Sequence, residues 1–410
     1  VKPARPADAP PGEQAAENAA SARGTNPDRV RQRNLATVLR LVHRAQGSSR
    51  SELTQSTGLN RSTIAALVGE LAEIGVVREA VPAASNRVGR PSPVVTADPR
   101  VVAIAVNPEI DAVTVGIVGL DGTVHRRIRR ETDSVPSASE AAHLAAATIR
   151  DVLDELPGDV RATGIGVAVP GLVRRSDGVV RLAPHLGWID EPFSEMLRAE
   201  TGLVTRAAND ARLGAVAESI FGSGRGVGTM VFLNGGASGV GGGVIVDGRP
   251  LGGVEGYAGE LGHTLVNSSG VVCHCGAVGC LETEVGQAEL LHALGRERGS
   301  DDDLDALLAG SDDPRVLAEV ERQVGWLSVT LRTTVNVFNP QVIVLGGFLG
   351  ALHGVAGDRI RALTTESALR GPGQDVSIVR AALGPRRLMI GAAELAFEEL
   401  LADPSSLAAR

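Results

Sequence analysis

The apolar residues Leu35, Val38, Leu39 and Val42 recur at i, i+3, i+4 and i+7, the spacing of one buried face on an amphipathic helix that ends near Gly47. Ser51 is placed to cap a short second helix, Glu52 to Thr57, and Gly58 permits a tight turn after it. Asn60 can cap a third helix, in which Ile64, Leu67, Val68 and Leu71 repeat the spacing and Gly75 is a natural stop. Two helices joined by a short Gly-containing turn predict a helix-turn-helix. Val76-Val77 and Pro93 to Thr96 then read as a two-stranded wing, with Asn86-Arg87-Val88-Gly89-Arg90 at its tip.

Beyond residue 98 the pattern changes. Val101 to Val106 and Ala112 to Leu120 are apolar runs of strand length, and Asp121-Gly122 supplies a hairpin turn. A helix is expected over 138–155. Gly164 to Val169 reads as a buried strand ending at Pro170-Gly171. Leu203 to Ala208 reads as a strand leading through Asn209-Asp210 into a helix to Phe221. Gly-rich strands follow over 229–253, helices dominate 286–337, and Val342 to Leu345 is a strand ending in Gly346-Gly347. An Ala/Leu/Glu-rich helix covers 388–402. Strands alternating with helices imply an α/β body with mixed sheets. The expected division is a disordered leader at 1–27, a winged helix-turn-helix at 28–97 and the α/β domain at 98–410.

Charge sharpens the first of these domains. The chain of 410 residues has a net charge of −8, which taken alone argues against nucleic acid. Residues 28–90 nevertheless hold ten Arg, no Lys and five acids. A basic module on an acidic body suggests DNA binding. In this motif the start of the second helix meets base edges, which nominates Asn60, Arg61, Ser62 and Thr63. Arg87 and Arg90 on the wing suit phosphates or the minor groove. A three-helix interaction module with a solvated basic face is the alternative.

Hydrophobic residues make up 43% and aromatics 2%, so the cores must be built from Val, Leu, Ile and Ala. No uncharged apolar run is long enough to cross a membrane. The Pro-, Ala-, Glu- and Ser-rich leader lacks the apolar centre of a signal peptide, so the cytoplasm is the expected compartment. All three Cys lie within residues 273–280. An odd number in one short segment is not a disulfide framework, and reduced thiols follow.

Gly259-Glu260-Leu261-Gly262-His263 and Cys273-His274-Cys275-Gly276-Ala277-Val278-Gly279-Cys280-Leu281-Glu282 resemble the signature of the repressor–ORF–kinase (ROK) family. Pro170-Gly171, Asn209-Asp210-Ala211 and the glycines of 235–243 extend the resemblance, which spans residues 28 to 400. The Cys/Gly/Glu block is its most specific part. It implies an actin-like, two-lobed sugar-kinase-type fold with a cleft between the lobes, preceded here by the winged helix-turn-helix. Members divide into sugar kinases and sugar-sensing repressors.

His263, Cys273, Cys275 and Cys280 offer one imidazole and three thiolates, the ligand number and type of a structural Zn²⁺ site. The resemblance points to the same four. Three reduced buried thiols are the alternative; His274 is an alternative ligand but is expected to point away. A closed ligand set leaves no open position for catalysis, so the zinc would be structural. The resemblance also implies sugar contacts at Asn209, Asp210, Glu260, His263 and Glu282, whose groups suit hydroxyls that both donate and accept. Asn209-Asp210 equally suits a helix N-cap, and both roles can coexist.

Kinases of the family carry Asp-x-Gly-Gly-Thr after the first strand, where glycines let phosphate approach the backbone. This chain has Asn107-Pro108-Glu109-Ile110-Asp111 there. Pro108 lacks an N–H, Glu109 and Ile110 bring side chains, and Glu109 and Asp111 would repel phosphate. The second loop, 235–243, persists in outline and can be retained for packing. The expectation is a non-enzymatic DNA-binding regulator, a repressor, controlled by a sugar or sugar-derived effector. As a homodimer or homotetramer it would bind an inverted repeat in double-stranded DNA. The rival is an ATP-dependent sugar kinase with an added DNA-binding domain. A regulator with no ligand in the cleft is disfavoured by the five retained contacts.

Overall fold

The computed structural model describes residues 27–80, 93–297, 299 and 301–407. Its first helix, Pro27–Ala45, buries Leu35, Val38, Leu39 and Val42 as their spacing requires. The second helix starts earlier than expected. It runs Arg50–Thr57, and its cap is Ser49 rather than Ser51. The Ser49 side chain accepts from the Glu52 N–H, and the Glu52 carboxylate accepts from the Ser49 N–H. This reciprocal box needs a three-residue spacing, which Ser51 does not have to Glu52. Asn60 caps the third helix, Arg61–Ile74, and Gly75 ends it at φ 79°. The strands Val77–Ala80 and Val94–Ala97 pair antiparallel, and Ser48–Ser49 adds a third strand that the sequence reading missed. Arg87, Arg90 and residues 1–26 lie outside the described residues.

Two five-stranded sheets form the two lobes of the body. In the first, Val101–Pro108 lies at the centre. Arg161–Val169 and then Thr205–Asn209 run parallel to it on one side, and Ala112–Gly119 and Val124–Glu131 continue antiparallel on the other. The hairpin between the last two turns at Gly122, φ 80°, as expected. In the second lobe, the hairpin Met230–Gly236 and Gly239–Val246 is edged by Arg249–Pro250. It joins the parallel strands Val342–Gly347 and Ser377–Arg380.

The last long helix, Arg387–Ala402, returns to the first lobe and packs along the helix Asp210–Phe221. Gly391 makes that approach possible, because a side chain there would strike the Leu213 carbonyl. One apolar core holds Met389, Ala393 and Phe397 of the last helix, Ala103 and Ala105 of the sheet, and Val38, Leu39 and Ile64 of the winged module. The module is therefore docked on the body.

Polar ties reinforce the docking. His43 on the first helix meets Glu394 on the last, Nε2 to Oε2 at 3.0 Å, with side chains 1% and 5% exposed. Arg161 of the body donates to the carbonyls of Ile74 and Gly75, and Arg225 to that of Ala45. Both guanidiniums sit at helix C-termini, where orphan carbonyls and the helix dipole favour a cation.

Candidate functional site

The strand Thr205–Asn209 ends at the cleft and the helix Asp210–Phe221 begins there, so neighbouring residues divide two tasks. Asn209 Oδ1 accepts from the Arg212 N–H at 2.9 Å and its Nδ2 donates to the Gly171 carbonyl at 3.1 Å. Asn209 thus caps the helix and pins the Pro170-Gly171 wall. Asp210 Oδ1 accepts from the Ala211 N–H at 2.7 Å. Burial pushes its carboxyl up to about 6, against the pull of that N–H and of Arg387.

Desolvation among its neighbours, then the charges of Asp210 and Glu282, push the Glu260 carboxyl up to about 7, although the residue as a whole is exposed. Glu282 opens the short helix Leu281–Glu284. Gly239, at φ 118°, leaves it room, since a Cβ there would lie 2.6 Å from Glu282 Oε2. Asn209, Asp210, Glu260, His263 and Glu282 all line one cavity of about 230 Å³. His185, Asn234 and Ser238 line it too. Sequence reasoning missed these three: His185 and Asn234 lie in no motif it marked, and Ser238 sits in the glycine loop 235–243 that it read as packing. The cavity is rich in acceptors and suits a ligand that presents several hydroxyls.

Beside it, His263 Nδ1 lies 3.6 Å from Cys273 Sγ, and the sulfurs of Cys275 and Cys280 lie 3.7 Å apart. The ligand atoms of all four are within 4.8 Å of one another. A tetrahedral ion with metal–sulfur bonds of about 2.3 Å and metal–nitrogen bonds of about 2.0 Å has ligand–ligand edges of roughly 3.5–3.8 Å. The cluster can therefore hold a metal ion. Gly279, at φ 71°, folds the loop back so tightly that a side chain there would strike the Asn267 carbonyl. His274 does not point away as expected. Its Nδ1 lies 3.1 Å from Glu282 Oε1 and 3.8 Å from Cys273 Sγ, and it lines the cavity. His263, Cys273, His274 and Glu282 consequently form a second, overlapping ligand group.

On the winged module, Asn60 Oδ1 accepts from the Thr63 N–H at 2.8 Å and from the Ser62 hydroxyl at 2.7 Å. Asn60 and Ser62 are thus tied to the cap, and Thr63 is half-buried. Arg61 is exposed and makes no ion pair among the described residues.

The two acids of Asn107–Asp111 are both neutralised by Arg129 on the strand Val124–Glu131, which offsets the phosphate repulsion expected from them. Glu109 accepts from the Thr114 hydroxyl at 2.6 Å and pairs with Arg129 at 3.3 Å, and Asp111 pairs with Arg129 at 2.7 Å. Asn107 and Glu109 line a second cavity, about 510 Å³, together with Arg127, Gly346, Gly347 and Arg387. In the other glycine loop, a Cβ on Gly241 or Gly243 would lie 2.6 Å from the Cβ of Ala211 or Ala215. Those glycines are required for packing against the helix that carries Asp210.

The family model for the ROK family matches residues 104–399. The chain is 25% identical over 409 residues to the xylose repressor of Caldicellulosiruptor bescii, covering 92% of this chain and 98% of that one. It is 32% identical over 252 residues to the glucokinase of Thermotoga maritima, 57% of this chain and 78% of that one. A crystal structure of a ROK family transcriptional regulator, homologue of the E. coli MLC protein, matches with a TM-score of 0.74 and 25% identity, over 91% of this chain and 97% of that chain. No helix among the described residues is long and apolar enough to cross a membrane.

Proposed function

The chain belongs to the ROK family, and from that membership we propose that it is a sugar-responsive, DNA-binding transcriptional repressor. The observation that carries this reading is the winged module docked by a shared core onto a body whose cleft gathers three carboxylates. The likeness to the xylose repressor runs through nearly the whole chain, that to the glucokinase through little more than half.

Asp210, Glu260 and Glu282 accept hydrogen bonds from sugar hydroxyls, and His263 contributes a ring edge. Asn209 acts first as the framework that positions Asp210. Arg61 reads base edges, with Asn60, Ser62 and Thr63 shaping the helix start and Arg87 and Arg90 meeting phosphates. A symmetric homodimer or homotetramer in the cytoplasm would recognise an inverted repeat.

We read the Cys/His cluster as a structural zinc site held by His263, Cys273, Cys275 and Cys280. Three thiolates and an imidazole form the softer and fully closed set. Bound there, zinc would supply no chemistry beyond fixing His263 and Glu282 relative to Glu260. Pro108, which has no N–H, and the side chains of Glu109 and Ile110 where the family's kinases have glycines make sustained ATP chemistry the weaker reading, although the likeness to glucokinase keeps a sugar kinase as the rival.

The test is a DNA titration with and without a panel of neutral sugars, using full-length protein and an operator found by selection. One sugar should change DNA affinity, and Asp210→Ala should abolish that response while leaving sugar-free DNA affinity near wild type. Robust ADP release with any sugar, abolished by Asp210→Asn, would replace this reading with the kinase.

A further inference from the structure

Between the first helix Pro27–Ala45 and the body lies a third cavity, of about 180 Å³, lined by Arg40, Arg44, Arg212, Glu394 and Glu398 among others. Its charges do not balance. Glu394 is engaged by His43. Arg44 donates to the Gly248 carbonyl at 2.9 Å, an uncharged acceptor. Arg40 and Arg212 have no side-chain hydrogen bond or contacting carboxylate among the described residues, and the exposed Glu398 attracts Arg212 only through space.

Arg212 is the informative member. It is half-buried, and desolvation followed by repulsion from Arg175 lowers its pKa from the usual arginine range. Arg175 Nη1 and Arg212 Nη2 each lie 3.6 Å from the point where a Cβ on Gly252 would sit. Two guanidiniums, the half-buried Arg212 and the exposed Arg175, with no carboxylate in contact among the described residues, therefore approach one point beside Gly252. Burying a charge without a partner is costly, so the half-buried Arg212 favours a counterion, and the exposed Arg175 and Arg40 are free to turn toward it. Planar guanidinium forks match the oxygens of a phosphate group, which can accept from several at once. Further along the seam, Arg29, Arg33 and Arg249 line an adjoining groove with one acid, Asp403, and extend the net positive field.

We infer that this seam is a second effector site, for a small phosphate-bearing anion anchored by Arg212 and flanked by Arg175 and Arg40. Its position gives occupancy a consequence. Arg212 lies in the first turn of the helix that begins with Asp210 at the sugar cleft, while Arg40 belongs to the DNA-binding module. An anion held by both ties the module to the body beside the cleft, and so favours the docked arrangement.

The experiment measures thermal unfolding and calorimetric binding of the full chain with inorganic phosphate, against chloride at matched ionic strength. A second arm compares glucose 6-phosphate with glucose. Phosphate should stabilise wild type saturably. Arg212→Met should weaken that binding by roughly tenfold or more, the worth of a charged hydrogen bond. Arg40→Met, an exposed change that spares the core, should weaken it by a smaller factor. Asp210→Asn should leave it intact. The sugar phosphate should follow the same pattern through its phosphate group. An effect that does not saturate, or one untouched by both Arg212→Met and Arg40→Met, overturns the inference. So does glucose 6-phosphate binding that is lost in Asp210→Asn but kept in Arg212→Met, which would assign the ligand to the cleft.

Discussion

Replacing Glu394 tests how the winged module is held to the body. His43 Nδ1 lies 2.8 Å from the Leu120 carbonyl and Nε2 lies 3.0 Å from Glu394 Oε2. A carbonyl only accepts, so Nδ1 must carry a proton. Nε2 facing a carboxylate at that distance requires a second proton between them. The pair therefore holds one proton more than a neutral imidazole beside an ionised carboxylate. Burial by itself would depress His43, but the charge and hydrogen bond of Glu394, helped by the Leu120 carbonyl, outweigh it and raise its pKa.

Glu394→Ala lets His43 shed its proton but leaves Nε2 buried without a partner, and should cost about 1–3 kcal/mol. Glu394→Gln should cost only about 1 kcal/mol, because the amide N–H can donate to a bare Nε2. That contact no longer needs the extra proton. With its folded pKa raised, the wild-type pair contributes fully below the ordinary imidazole value of about 6.5 and loses its contribution as pH climbs through the folded value. Urea unfolding from about pH 6 to 9, with DNA binding measured in parallel, separates the three proteins. Wild type should lose stability across this range relative to Glu394→Gln. The reasoning fails if the Gln variant tracks the wild-type pH curve, or if Glu394→Ala costs less than about 1 kcal/mol.

Sugar affinity measured by calorimetry should rise between about pH 5 and 7.5, because the carboxyls of Asp210 and Glu260, held up at about 6 and about 7, accept hydroxyl hydrogens best when ionised. Combining Asp210→Asn with Glu260→Gln should flatten that profile, and an unchanged profile would remove both from the site. Freshly purified, unchelated protein should contain about one zinc per chain by elemental analysis, and Cys275→Ser or Cys280→Ser should lose metal and stability together. Absence of zinc from the wild type would sink that assignment. Arg61→Ala should weaken operator binding by about 1–3 kcal/mol in fluorescence anisotropy and relax base preference. Ser62→Ala should cost less, because that hydroxyl already faces Asn60, and equal losses would refute this ranking.

Much of this molecule is written locally along the chain. Leu35 to Val42 and Ile64 to Leu71 announce their helices through spacing alone, and Asn60 and Gly75 mark both ends of the third helix, because caps and periodicity depend on residues within one or two turns. The candidate ligands His263, Cys273, Cys275 and Cys280 were legible for the same reason, since a short glycine-rich loop can only fold on itself. Where two local solutions compete, the sequence reading erred: Ser49 and Ser51 both suit a cap, and only the reciprocal contact with Glu52 decides between them. His274 was misjudged because its direction depends on Glu282, which reaches it only once the loop has closed. The docking of the winged module was not legible at all. His43 and Glu394 are 351 residues apart, and no spacing rule links them. The close helix crossing of Gly391 on Leu213 likewise joins residues far apart in the chain. Pairings across such distances are selected by burial and charge in the finished fold, and that is where the tertiary structure, rather than the sequence pattern, determined how this chain joins its cleft to its winged module.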